Sequence, residues 1–186
     1  MPVFAADSNG LANTIVLVIR HAEKPDKGNE LTPAGEERAR AYVHYFKNFT
    51  VDTKPVTVNY LFAAADSDGS HRPRLTLEPF SKATGMTIDQ RFAAKQAQGL
   101  ANELRAKPHG GCVLICWHHG QIPDLLQALG ADPIKLLPKA KWPDNTFGWV
   151  IQLRYDAQGQ LVEATRINEN LMPDDAGMLD DKIPVQ

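Results

Sequence analysis

The chain alternates short apolar, β-branched runs with longer stretches whose apolar positions recur every three or four residues. Residues 14–19, Thr-Ile-Val-Leu-Val-Ile, are almost wholly apolar, the pattern of a strand covered on both faces. A polar loop follows, and Thr32 then offers an N-cap with Pro33 at the first helical position. Ala39, Tyr42, Val43 and Phe46 recur behind it at helical spacing, which predicts a helix with one apolar face. Residues 58–62 read as a second strand, and Leu75 and Phe80 as a helix whose regularity Pro79 disturbs. Ala97, Leu100, Ala101 and Leu104 mark another helix, closed by Pro108-His109-Gly110-Gly111. Residues 113–117 are the next buried strand, followed by a helix on Ile122, Leu125, Leu126 and Leu129 that stops at Gly130. A hairpin closes the pattern, 147–155 and 161–167, turning through 156–159.

Strands alternating with helices predict an α/β fold: a three-layer α/β/α sandwich around a mostly parallel central sheet, with an antiparallel edge from the last hairpin. No repeat or linker divides the sequence, and 186 residues suit one domain over 1–186. Within it, 1–13 read as a disordered start or signal remnant and 168–186 as an irregular tail.

Composition narrows the function. Twenty basic residues stand against 22 acidic ones, for a net charge of −2. That balance speaks against nucleic-acid and membrane-surface partners, so any bound anion must be held locally. No apolar run approaches the roughly 18 residues of a spanning helix. Val3-Phe4-Ala5 has the small-residue pattern that precedes a signal cleavage site, but no charged segment comes before it. Cytoplasmic residence, and export or periplasmic residence after trimming of a signal peptide, both fit. Cys112 and Cys116 lie four residues apart in a strand, about 13 Å. That is too far for a disulfide, and buried thiols are expected.

In a sheet of this kind ligands bind beyond the carboxyl ends of the strands. Arg20-His21-Ala22-Glu23 follows the first strand, His71-Arg72-Pro73-Arg74 lies beyond the second, and His118-His119-Gly120 follows residues 113–117. Arginine grips phosphoryl oxygens in two-pronged fashion, imidazole can act as a nucleophile, and the amides opening the helix after His119 favour an anion.

These segments resemble a known family. Residues 16–25 with Arg20-His21, Leu31-Thr-Pro-Ala-Gly35, Ser70-His-Arg72-Pro-Arg-Leu-Thr76 and 113–123 are similar, in order, to the histidine phosphatase superfamily, also called phosphoglycerate mutase-like, in a small branch-1 type member. The resemblance implies the phosphoglycerate mutase-like fold and a metal-independent phosphatase without cofactor. His21 would take the phosphoryl group as phosphohistidine, and water would then release it. Arg20, Arg72 and one of the tandem histidines would bind the phosphate with His21. Arg72 is preferred to Arg74 by its spacing to Thr76. Counting strand residues points to His118 as the second catalytic histidine; the His-Gly dipeptide and strand alternation point to His119, which is preferred. Many members carry a general-acid Glu after the second-arginine helix, but 88–95 contains none, so Asp89 is the candidate, with Asp66 or Glu23 as substitutes.

Other patterns carry less. His44, His71 and His109 read as surface or hydrogen-bonding residues, and Trp117 and Trp142 as packing. Asp66-Ser-Asp68-Gly69-Ser70 imitates the loop of aspartate-based, Mg²⁺-dependent phosphatases, but it lacks downstream acidic partners on buried strands and fits turn chemistry better. A zinc site of Cys116, His118 and His119 lacks a separate ligand cluster. The substrate is expected to be a small phosphorylated molecule or a phosphoprotein, selected by loops 24–30, 63–70 and 139–146. A phosphomutase of the same family and a non-catalytic phosphate-binding protein are the alternatives.

Overall fold

A computed structural model describes residues 9–178. The first strand, β1 (Ile15–Arg20), runs into the loop that precedes α1 (Pro33–Lys47). Thr32 caps this helix: its hydroxyl accepts the Gly35 amide at 3.1 Å, and Pro33 opens the first turn. A Cβ on Gly35 would lie 2.5 Å from the Glu23 carbonyl oxygen. The Leu-Thr-x-x-Gly pattern therefore has a steric reason, because α1 passes directly against the chain leaving β1.

A tight hairpin of β2 (Thr50–Val51) and β3 (Lys54–Pro55) leads to β4 (Tyr60–Ala63). This strand starts two residues later than the apolar pattern suggests, because Asn59 is used as a lock: its Oδ1 accepts the Cys112 amide at 3.0 Å. Helix α2 (Arg72–Thr84) runs straight through Pro79 and ends at Gly85, whose φ is +74°. Pro79 removes one amide donor, but Leu77 and Phe80 are fully buried, and that packing keeps the helix whole. Then come β5 (Ile88–Asp89), α3 (Ala97–Ala106), β6 (Cys112–Trp117), α4 (Ile122–Ala128), α5 (Pro133–Leu136), β7 (Trp149–Tyr155) and β8 (Leu161–Asn168). The elements absent from the sequence pattern, β2, β3, β5 and α5, are two to four residues long, too short to show a period.

The sheet order is β5-β4-β6-β1-β7-β8. Strands β5, β4, β6 and β1 are mutually parallel; β7 is antiparallel to β1, and β8 to β7. Alternation along each strand splits the core. Leu17, Ile19, Leu61 and Leu114 pack against Tyr42, Phe46, Leu77 and Phe80 of α1 and α2. Val16, Val18, Val113 and Ile115 pack against Leu100, Leu104, Leu125 and Leu126 of α3 and α4. The three layers and the antiparallel edge are those expected. Cys112 and Cys116 are free, buried thiols on the α1/α2 side. Among the described residues no helix is long and apolar enough to cross a membrane.

Both chain ends correct the sequence reading. Residues 1–8 lie outside the described part, but 9–13 are packed rather than disordered: Leu11 is in the core and the Gly10 amide donates to the Arg105 carbonyl at 2.7 Å. Of the supposed irregular tail, Asn168 closes β8 and Pro173–Met178 forms a 3₁₀ turn. Glu169 and Asp175 are buried there, a sign that the segment belongs to the body of the protein; 179–186 lie outside the described residues.

Candidate functional site

Strands β1, β4 and β6 end side by side, with Arg20 in register with Trp117, so the residues that follow converge on one sheet edge. β7 runs antiparallel beside β1 with Ile19 opposite Val150. The residues just before β7 therefore come alongside those just after β1.

Arg20 is completely buried. Its Nη1 donates to three carbonyls of the loop before β7, those of Pro143 (3.0 Å), Asp144 (2.7 Å) and Thr146 (2.9 Å). The guanidinium carbon sits 3.9 Å from the centre of the Phe147 ring. One edge of the fork thus pins the loop, while Nε and Nη2 are buried without a protein partner. Buried donors of a cation are ordinarily satisfied, so these two mark the direction in which an anion would be gripped. Burial pushes the guanidinium down to about 10, still charged at neutral pH.

Arg72 opens α2. Its Nη1 donates to the Gly28 carbonyl (2.9 Å) and its Nη2 to that of Gly69 (3.3 Å), drawing two loops to the site, while Nε is buried without a protein partner.

His21 is 1% exposed. Its Nδ1 lies 2.8 Å from the Ala22 carbonyl. That oxygen can only accept, so Nδ1 carries the hydrogen and Nε2 keeps its lone pair. Burial first, then Arg20, His118 and Arg72, push its pKa down to about 2, so the ring is neutral at physiological pH. Its orientation is set by neighbouring backbone: the Ala22 amide donates to Thr76 Oγ1 (2.9 Å), which donates to the Arg72 carbonyl (2.8 Å). The Thr76 that identified Arg72 by spacing thus ties the two motifs together physically.

The tandem histidines diverge. The His118 ring lies 5.2 Å from that of His21, edge to face, and burial with Arg72, His119 and Arg20 lowers its pKa to about 4. His119 instead places Nε2 2.9 Å from Asp144 Oδ1, and its Nδ1 is buried without a protein partner. Burial and Arg20 lower its pKa against the pull of Asp144. The preference for His119 as the second catalytic histidine rests on the His-Gly dipeptide and on strand alternation continuing past Trp117, and the structure bears only on the second ground. β6 ends at Trp117, alternation stops with it, and His118 is the residue that meets His21.

The three candidate acids are engaged elsewhere. Asp89 is held by Arg91 and Tyr60, which keep its carboxyl below the usual carboxylate range against the opposing effect of burial; an anion so held is in the wrong state to donate a proton. Asp66 pairs with Arg74 and Gln90, and Glu23 with Arg38. At the start of α4 the amides of Gln121 and Ile122 both donate to the His118 carbonyl. Of the histidines read as bland, His109 packs on Tyr60 and Phe62 and His44 bonds Asn48. Among the described residues no three His, Cys, Asp or Glu side chains gather as a metal site.

Loop 139–146 lies beside the site as its place in the sequence suggests, but nothing in the sequence marks Phe147, Asp144 or the carbonyls of 143–146 as site groups. The antiparallel pairing of β7 with β1 is the signal that carries them there, and it is a tertiary one.

No family model and no curated protein matches the sequence. Solved structures do match its fold. A phosphoglycerate mutase from Plasmodium falciparum superposes with a TM-score of 0.54 at 17% identity, covering 80% of this chain and 87% of that one. A phosphoserine phosphatase mutant from Entamoeba histolytica, in complex with phosphoserine, gives 0.53 at 13% identity over 81% and 96%. The protein histidine phosphatase SixA, complexed with tungstate, gives 0.50 at 16% identity over 84% and 97%. The chain has the phosphoglycerate mutase-like fold shared by histidine phosphatases.

Proposed function

We propose that the chain is a metal-independent phosphatase of the histidine phosphatase superfamily. His21 takes the phosphoryl group from a small phosphorylated molecule or a phosphoprotein and passes it to water. The observation that carries this reading is a buried imidazole whose Nδ1 faces the Ala22 carbonyl at 2.8 Å, which leaves Nε2 for attack, set beside Arg20 and Arg72, whose buried Nε groups, with Arg20 Nη2, have no protein partner. The solved structures of like fold include two phosphatases and a mutase, which supports phosphoryl chemistry at this sheet edge.

In the first step the Nε2 lone pair attacks phosphorus in line, an N–P bond forms and the bond to the leaving oxygen breaks. Arg20, Arg72 and His118 bear the charge on the equatorial oxygens, where stabilisation counts most. The leaving oxygen takes a proton from His119, whose Nε2 is hydrogen-bonded to the exposed Asp144; a bound phosphate dianion raises the proton affinity of that imidazole. In the second step water attacks phosphorus, gives its proton back to His119, and the N–P bond breaks to release phosphate.

The test is hydrolysis of p-nitrophenyl phosphate in the presence of a chelator. The wild type is expected to turn over and to form acid-labile phosphohistidine, and His21→Ala to lose both. Activity abolished by the chelator, or retained in His21→Ala, would overturn the reading. Transfer of the phosphoryl group to a second phosphoglycerate rather than to water would make the protein a mutase, and tight phosphate binding without phosphohistidine would make it a binding protein.

A further inference from the structure

Glu23, two residues after His21, is tied to the far end of the chain. Arg38 Nε donates to both of its carboxylate oxygens, at 2.9 and 3.1 Å, and Nη2 to Oε1 at 2.7 Å. The same guanidinium reaches Glu169 (Nη1 to Oε2, 3.1 Å) and both oxygens of Asp175 (2.9 and 2.8 Å). All five of its N–H groups are engaged. Tyr42 donates to Glu169 at 2.9 and 3.0 Å, and Asp175 accepts the amides of Leu171 and Met172. Arg38, Tyr42, Glu169 and Asp175 are all buried.

Burying an arginine with three carboxyl groups is an expensive way to hold helices together, since apolar side chains of similar volume commonly do as well or better. What distinguishes this cluster is where it pulls. Glu23 is fixed at its side chain by Arg38 and at its carbonyl by the Thr32 amide (3.0 Å). Ala22 is fixed at its amide by Thr76 (2.9 Å). The peptide between them carries the Ala22 carbonyl, which accepts the His21 Nδ1 hydrogen. On the opposite side, the Glu169 amide donates to the Gly148 carbonyl (2.9 Å), next to the Phe147 that covers Arg20. A Cβ on Gly148 would lie 2.4 Å from Asp175 Oδ1, so the glycine is what lets the C-terminal segment close in.

We propose that Arg38, with Glu169 and Asp175 of the C-terminal segment, positions the nucleophile: by clamping Glu23 it holds the Ala22 carbonyl where that oxygen keeps the His21 imidazole in its Nδ1–H tautomer. None of the three touches substrate; each acts through Glu23 and the peptide beside His21. The inference rests on the reading of His21 as nucleophile, but its first readout does not depend on catalysis.

The experiment uses the full chain labelled with ¹⁵N-histidine, as wild type, Glu23→Gln, Asp175→Asn and Arg38→Lys. Imidazole ¹⁵N shifts are recorded for each, alongside single-turnover phosphorylation of His21 by p-nitrophenyl phosphate. The wild type is expected to show one protonated Nδ1 and one unprotonated Nε2 on His21. The variants are expected to show averaged shifts from exchanging tautomers and a rate of phosphohistidine formation lowered about tenfold or more, with KM within about twofold. If Arg38→Lys does not fold, Glu23→Gln decides, because it leaves Arg38 bound to Glu169 and Asp175. Variants that melt earlier but keep the wild-type tautomer and rate would overturn the proposal and reduce the cluster to a structural one. Activity surviving in His21→Ala would instead sink the nucleophile reading, while leaving the tautomer result to stand or fall by itself.

Discussion

His118 and His119 are neighbours in sequence with separate surroundings: one faces His21 across 5.2 Å, the other is hydrogen-bonded to Asp144. Their substitutions should therefore differ in kind. His118→Ala removes a phosphate contact and should slow all substrates alike. His119→Ala removes the proposed proton donor, so alkyl phosphates, whose leaving oxygen needs a proton, should slow by about 10²-fold or more. p-Nitrophenyl phosphate, with its good leaving group, should slow much less. Measuring kcat/KM over a series of leaving groups checks this, and equal losses for both variants at every leaving-group pKa would refute the division of labour. The two residues could be named from sequence because their identities and their place after a buried strand are local facts. Their roles could not, since the end of β6 and the reach of Asp144 are set by how the loop before β7 folds over Arg20.

That loop and α1 carry the site at the next scale. Arg20 Nη1 holds three carbonyls of 143–146, and Trp142 Nε1 donates to the Thr146 carbonyl at 2.8 Å, so the loop is bonded from both sides. Gly148 follows it and admits Asp175. Gly148→Ala should cost about 1–3 kcal/mol through overpacking and lower phosphatase activity as well, measurable as a shift in urea midpoint and in kcat. A midpoint unchanged from wild type would mean that the C-terminal segment does not sit there. Thr32→Ala removes the α1 cap and one hydroxyl contact near Glu23, and should cost about 1 kcal/mol. The α1 start was legible because a capping threonine, a proline and a glycine lie within four residues. The course of α2 through Pro79 was not, because core packing of Leu77 and Phe80, rather than local preference, decides it.

For the whole molecule, opposing pKa shifts set a stability optimum. His21 and His118, at about 2 and about 4 in the folded state, titrate near 6.5 when unfolded. As pH falls below 6.5 the unfolded chain binds protons that the folded one refuses, and stability is lost. Glu169 is pushed up to about 8 by burial and by Asp175, despite Arg38 and Tyr42, from an ordinary 4.5. The folded state holds that proton where the unfolded one does not, so its contribution is lost as pH rises from 4.5 through 8. Two histidines outweigh one carboxyl where the windows overlap, so urea midpoints should peak near pH 6.5 and decline on both sides. A profile still rising from pH 6.5 to 9 would refute the buried, protonated Glu169. The sequence by itself determined the layer architecture, the parallel core strands and the Arg-His pair after β1, because periodicity, capping and strand-end position are encoded within a few neighbouring residues. Only the tertiary structure decided which histidine meets His21, that Asp89, Asp66 and Glu23 are occupied by arginines or their neighbours, and that Glu169 and Asp175 close on Arg38. The pairings made by Arg38 join residues 15 to 137 positions apart in the chain, and no local pattern records which of many buried or charged side chains will come within about 3 Å of one another.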